Sequence, residues 1–238
     1  MVLDVSRKKT DLESKMQFLK RVPIFNGLND ESLHRVATIT SEKVYSRKSI
    51  VFHEGDHGDT LYIIKAGRIK IAKVAIDGRE KTLCILQSGD FFGEMAIFDN
   101  QPRSATAEAI DNDVHLFTIS KGDFERIIHE YPSIALRIMQ DLTRRIRQIN
   151  QQVEDLAFKD VHGRVASTLH QLLETEEKTR GRKLNCLRMT HQDLANMVGS
   201  SRETVTRALN RLQTEGHIAI SHQQIEIIDR EALLEHCI

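Results

Sequence analysis

The sequence predicts an α+β protein in three parts: an antiparallel β-roll of the double-stranded jelly-roll type with flanking helices (residues 1–131), a long central helix with a hinge (132–159), and a winged helix-turn-helix (160–238). Three observations carry this expectation. Between Glu42 and Ser120 short β-rich runs alternate with glycine turns, from Ala135 onward an apolar stripe repeats every three or four residues, and after Thr190 two short amphipathic stretches flank a glycine. With 238 residues, 40 % of them hydrophobic, the chain can bury about two separate cores.

The roll is read from Lys43-Val44-Tyr45, Ser49 to Phe52, Leu61 to Ile64, Ile69 to Val74, Thr82 to Leu86 and Val114 to Ile119. Many short strands in succession argue for a roll or barrel. Gly55, Gly58, Gly67, Gly78 and Gly89 each close a run, and Asp77-Gly78 has the form of a tight hairpin turn. These glycines are read as turn formers. Leu28 to Ile39 is a predicted accessory helix capped by Asp30, and Lys121 to Glu130 is another. Pro132 then opens the long helix at a position that proline tolerates.

In that helix Ala135, Met139, Leu142, Ile146, Ile149, Val153 and Leu156 alternate spacings of four and three, the seam that two helices bury against each other. The flanking positions Arg144, Arg145, Arg147, Gln148, Gln151 and Gln152 are polar. A narrow stripe favours a homodimer, since a helix lying on its own domain usually carries a wider one. The seam stops at Ala157-Phe158-Lys159, a predicted hinge. Asp160 caps a further helix, Val161 to about Glu174, with Val165, Leu169, Leu172 and Leu173 inward. Thr175 to Lys183 reads as a charged loop.

Composition narrows the function. Lys+Arg and Asp+Glu are both 34, so any affinity for nucleic acid rests on locally placed cations. Cys84, Cys186 and Cys237 are far apart with no C-x-x-C pair, which suits reduced thiols rather than disulfides or a metal cluster. The histidines are scattered, and no metal site is expected. Met1 to Lys15 lacks a signal-peptide core, and no apolar run reaches membrane-spanning length, so the expected location is the cytoplasm with no membrane partner. No P-loop, H-E-x-x-H or dinucleotide fingerprint is present, and neither catalytic residues nor a cofactor are expected.

Near the C-terminus, Thr190 caps His191 to Val198, whose inward residues are Leu194, Ala195 and Val198. Gly199 stands where a tight helix-helix turn needs positive φ. Ser201 caps a second helix with Val205, Ala208, Leu209 and Leu212 inward and Arg202, Glu203, Thr204, Thr206, Arg207, Asn210 and Arg211 outward. Arginine can bridge O6 and N7 of guanine and glutamate can accept from N4 of cytosine, so Arg202, Glu203 and Arg207 are candidate base readers. Ser201, Thr204 and Thr190 complete the DNA-contact set. By itself such a face can equally be a soluble surface with Glu203 paired to Arg207. The glycine turn before it and the two alternating runs after it, Gly216 to Ile220 and Gln224 to Ile228, favour a winged DNA reader.

Gly89 to Ala105 interrupts the strand pattern with a predicted short helix. Amides at Gly93 and Glu94, the Arg103 guanidinium and the Ser104 hydroxyl could together hold a phosphate. Glu94 beside an anion makes sense if it accepts from a sugar hydroxyl; an Arg103–Glu94 ion pair tying down a loop is the alternative.

Gly93 to Phe98 with Arg103-Ser104-Ala105, Leu156 to Val165, and Val198 to Val205 resemble, in this order, the cyclic AMP receptor branch of the CRP/FNR regulators. The resemblance covers nearly the whole chain. It implies a cyclic-nucleotide-binding roll, a dimerising helix, a winged helix binding palindromic TGTGA-like double-stranded DNA, and contact with RNA polymerase. Gly93 and Glu94 would meet the ribose, Arg103 and Ser104 the cyclic phosphate, and Arg202, Glu203 and Arg207 the bases. It puts the adenine contacts at Ile149 and Asn150, where Ile149 cannot bond the exocyclic amine and belongs to the seam. Cyclic AMP is the expected allosteric ligand, with another or no effector as the alternative and a nucleotide-binding regulatory subunit as a more distant one. No cysteine precedes Cys84, so the iron–sulfur cluster of the FNR branch is not expected.

Overall fold

The computed structural model describes residues 2–236, which divide into two units: 2–73 with 83–145, and 74–82 with 146–236. In chain order the elements begin with α1 (Val2–Leu19), a 3-10 turn (Pro23–Phe25) and α2 (Asp30–Ile39). The roll follows as β1 (Ser41–Tyr45), β2 (Ile50–Phe52), β3 (Thr60–Ala66), β4 (Ile69–Val74), β5 (Glu80–Leu86), β6 (Phe91–Phe92), α3 (Met95–Asp99), β7 (Thr106–Ala109) and β8 (Val114–Ser120). Then come α4 (Lys121–Glu130), α5 (Pro132–Phe158), α6 (Val161–Arg180), β9 (Cys186–Arg188), α7 (His191–Val198), α8 (Arg202–Thr214), β10 (Ile218–Ser221), β11 (Gln224–Ile227) and α9 (Arg230–Glu235).

The roll is two antiparallel four-stranded sheets, ordered β1-β8-β3-β6 and β2-β7-β4-β5. Strand alternation explains its layering. On β3, Tyr62 and Ile64 face the interior of the roll with Phe92, Val114 and Leu116, whereas Leu61 and Ile63 join a second core with Phe91, Phe117 and Ile119. Both faces of β3 and β8 are therefore buried, which is why they read as continuous apolar runs. Helices α1, α2, α4 and the first turns of α5 cover the second core through Leu19, Leu33, Val36, Phe124, Ile134 and Ile138.

Several expectations shift. Asn29, not Asp30, caps α2, its side chain accepting from the Ser32 amide at 2.8 Å. Strands β6 and β7 lack sequence signals, because one has two residues and the other reads Thr-Ala-Glu-Ala. The stretch Thr175–Arg180 is not loop: α6 continues to Arg180, helped by Glu174 pairing with Lys178 at 3.3 Å, and stops at Gly181, whose φ is +63°. The seam of α5 is also split. Leu142 is half-buried against the roll's helical core, while Met139, Ile146, Ile149, Val153 and Leu156 stand exposed. Cys84 and Cys186 are free and exposed, and Cys237 lies outside the described residues. Among the described residues no helix is long and apolar enough to cross a membrane.

In the second unit α6, α7 and α8 pack around Val165, Leu169, Leu194, Ala195, Val205, Leu209 and Leu212, closed by Ile218, Ile225 and Ile227. The wing β10–β11 gains a third strand, β9, on the far side of β11. Because α8 buries one face and exposes the other, substitutions on it should separate. Leu209→Ala is expected to cost about 2–5 kcal/mol, and Arg202→Ala less than about 0.5 kcal/mol. Chemical denaturation of both variants checks this; equal losses would contradict the assignment of faces.

Candidate functional site

The cassette is organised around Arg103. Its side chain is only 5 % exposed and enters between β3 and the segment preceding α3. One terminal nitrogen donates to the Gly93 carbonyl at 2.6 Å and the other to the Thr60 carbonyl at 2.8 Å. The guanidinium lies 4.3 Å from the centroid of Phe52, while Nε is buried without a hydrogen-bond partner among the described residues. Neither hydrogen bond goes to a carboxylate. Two glycines make the room. A Cβ on Gly58 would come within 2.7 Å of Arg103 and 2.6 Å of Ala96, and one on Gly93, where φ is +83°, would come within 2.6 Å of Arg103. Gly58 was expected only to close a turn, yet its φ is not positive; what it supplies is space.

Glu94 does not bond Arg103. Its buried carboxylate lies 3.4 Å from a terminal nitrogen of Arg145, so its negative charge already faces a protein donor besides any sugar hydroxyl. Arg145 also donates to the Phe91 carbonyl at 2.6 Å, sits 4.7 Å from the Phe91 ring centroid, and has Nε 2.7 Å from Asp141. Two guanidinia thus fasten the segment 91–94, Arg103 through Gly93 and Arg145 through Phe91. Arg145 had been grouped with the polar flank of the seam; no local pattern distinguishes it, since its partner lies 51 residues earlier. Ser104 is exposed, its hydroxyl 3.5 Å from the sulfur of Met95. The predicted short helix is α3, five residues beginning at Met95, with Glu94 as its N-cap. Ile149 and Asn150 on α5 are both exposed.

The helix-turn-helix forms as its caps dictate. Thr190 and Asp193 make a reciprocal capping box on α7, and the Thr190 hydroxyl also donates to Asp193 at 2.7 Å. Gly199 ends α7 with φ of +69°. Ser201 then caps α8 by accepting from the Thr204 amide at 3.2 Å. Arg202, Glu203 and Arg207 are exposed together on the outer face. Arg207 does not take up the pairing with Glu203 that a merely soluble face would show but donates to the Thr204 hydroxyl at 3.2 Å. The Glu203 backbone amide and the Ser201 hydroxyl hold the Glu203 carboxyl below its ordinary 4.5. Thr206, expected outward, is half-buried and bonded to His191 at 2.9 Å.

Comparison with known proteins joins these halves. Residues 42–131 match the cyclic nucleotide-binding domain family, and residues 163–236 the Crp-like helix-turn-helix domain. The CRP-like cAMP-activated global transcriptional regulator of Mycobacterium tuberculosis is 36 % identical over 221 residues, covering 91 % of this chain and 97 % of that protein. The chain belongs to the CRP/FNR family. A second relative of this CRP-like regulator, the cyclic AMP receptor protein of Thermus thermophilus, is 32 % identical over 216 residues, covering 91 % and 96 %. Among solved structures, the c-di-GMP responsive global regulator CLP of Xanthomonas campestris superposes with a TM-score of 0.75 at 27 % identity, covering 84 % of this chain and all of that one. The family is one of transcription regulators, with a nucleotide-binding domain and a DNA-binding domain in a single chain.

Two outcomes test the cassette's physics. Gly58→Ala forces a methyl into Arg103 and Ala96 and is expected to destabilise by about 1–3 kcal/mol, measured by denaturant unfolding; an unchanged midpoint would contradict the packing. Burial, opposed by Arg145, pushes the Glu94 carboxyl above its ordinary 4.5. Any stability it contributes is present below that value and lost as pH rises through the raised pKa. Glu94→Gln should therefore unfold at a higher temperature than wild type at neutral pH, with the gap closing on acidification. A less stable Gln variant at neutral pH would mean that the Arg145 pair outweighs desolvation.

Proposed function

We propose that this CRP/FNR regulator is a homodimer that binds cyclic AMP in the 93–104 cassette and thereby favours the arrangement in which two copies of α8 read a palindromic, TGTGA-like site. The observation that carries the reading is the Arg103 guanidinium, buried on an aromatic ring and, among the described residues, hydrogen-bonded only to carbonyls. A buried charge is costly unless an opposite charge meets it, and a cyclic phosphate is such a partner. In this reading Arg103 and Ser104 hold the phosphate, Gly93 and Glu94 the ribose, and Asn150 and Ile149 flank the base. Arg145 orients Glu94.

The dimer reading rests on the exposed apolar stripe Met139, Ile146, Ile149, Val153 and Leu156. Residues 1–131 then serve as the sensor, 132–159 as dimerisation helix and hinge, and 160–238 as the DNA reader. Arg202, Glu203 and Arg207 contact bases, while Ser201, Thr204 and Thr190 contact the phosphate backbone. RNA polymerase is the downstream partner. The ligand acts by shifting populations, limited by its differential affinity for the two arrangements.

A second reading, in which the effector is a different nucleotide, is favoured by Ile149, which offers no hydrogen bond to a base, and by the likeness to a regulator described as c-di-GMP responsive. Calorimetry with cAMP, cGMP and c-di-GMP on wild type and Arg103→Leu, followed by DNA-binding anisotropy, separates them. The expected result is saturable cAMP binding that Arg103→Leu abolishes, with DNA affinity raised about 5- to 150-fold by cAMP. Binding of c-di-GMP alone would select the second reading. DNA affinity indifferent to every nucleotide would sink both.

A further inference from the structure

The second unit holds a histidine cluster unrelated to either site above. His162 lies on the first turn of α6, Glu215 at the C-cap of α8, His217 just before β10, and His236 after α9. Their side chains converge on one oxygen. Glu215 Oε2 is 3.8 Å from Nε2 of His162, 3.8 Å from Nε2 of His217 and 3.5 Å from Nε2 of His236. Candidate ligand atoms of His162, Glu215 and His236 all lie within 4.8 Å of one another.

These distances discriminate between explanations. An imidazole hydrogen-bonded to a carboxylate sits at about 2.7–3.2 Å, and none of the three rings comes so near. Two ligands on one tetrahedral zinc ion, each at about 2.0–2.2 Å from the metal, stand about 3.3–3.6 Å apart. Only the His236 separation falls inside that window and the two at 3.8 Å lie just beyond it, but all three are nearer to it than to a direct bond. His162 adds an independent sign: its side chain is only 11 % exposed, and neither ring nitrogen has a hydrogen-bond partner among the described residues. Leaving both nitrogens buried and unbonded is costly.

The surroundings suit a ligand set. Arg211, one turn earlier on α8, bonds Glu215 Oε1 at 2.8 Å, which leaves Oε2 directed at the rings and fixes the carboxylate from outside, as partners of metal ligands commonly do. Gly163 lets the end of the chain approach, since a Cβ there would stand 3.0 Å from the His236 carbonyl. Nitrogen-rich donors with one carboxylate favour zinc among the common divalent ions, whereas calcium and magnesium want oxygen.

We propose that His162, Glu215 and His236, with His217 beside them, bind a zinc ion that ties the end of the recognition helix to the start of α6 and to the segment after α9. This proposal departs from the expectation of no metal site. Bound zinc stabilises the DNA-binding unit by mass action, because the unfolded chain does not assemble these ligands.

The test uses the full chain, stripped of metal and titrated with Zn2+ by calorimetry and with Co2+ as a spectroscopic probe. Expected are one saturable equivalent per chain, visible bands of tetrahedral Co2+, and a zinc-dependent rise in unfolding temperature. In His162→Gln/His236→Gln, affinity should fall by more than the roughly 10–100-fold that loss of an outer hydrogen-bond partner costs. Cys84→Ser/Cys186→Ser should bind as wild type does. Circular dichroism establishes that each variant is folded. Absence of saturable binding to wild type overturns the proposal without recourse to variants; so does binding that survives the double histidine substitution or vanishes with the cysteines.

Discussion

A buried arginine on a β-roll needs its charge, its planar donors and its bulk all accommodated, and the cassette is arranged around that demand. Carbonyls of Gly93 and Thr60 take two donors, Phe52 takes the face, and a Cβ on Gly58 or Gly93 would occupy the space of the guanidinium. The segment 91–94 consequently has little freedom of its own. Arg145 fastens its other side, so the first half of α5 and the roll share one polar junction. In the proposed reading, what holds this loop in place also presents positive charge toward a ligand.

Helix α5 divides its labour along its length and around its circumference. Ile134 and Ile138 are buried in the roll's helical core, with Leu142 half-buried at its edge, and the stripe from Ile146 to Leu156 is exposed. The second unit shows a comparable economy. Its small core is drawn from every element between α6 and α9, and the outward face of α8, with Arg202, Glu203 and Arg207, takes no part in it.

Much of this was legible because it rests on short-range chemistry. Thr190, Gly199 and Ser201 announce the helix-turn-helix by cap and turn requirements that hold in any context, and the spacing along α5 reveals an apolar stripe directly. Other features needed three dimensions. Arg145 and Glu94 are neighbours only after the roll has formed. Strand β7 carries no β-forming pattern and exists because β2 and β4 pair with it from both sides. The end of α6 was misread because charged residues signal a loop and an exposed helix equally, and only Gly181 marks the stop. Gly58 reads like the other turn glycines, because the sequence reveals a glycine but not whether it supplies torsional freedom or space. His162, Glu215, His217 and His236 span 75 positions, and no spacing rule connects them.

The cap of α8 reaches further than its helix. Ser201 contacts the Thr204 hydroxyl at 3.1 Å, and that hydroxyl in turn receives Arg207. Fixing a free arginine side chain costs up to about 2 kcal/mol of rotamer entropy. Part of that ordering has been met before Arg207 encounters a partner. A single serine hydroxyl therefore links how firmly the helix begins to how stiffly one of its outward arginines is held, and rigidity at that position becomes a heritable property of a residue that touches neither the core nor a base.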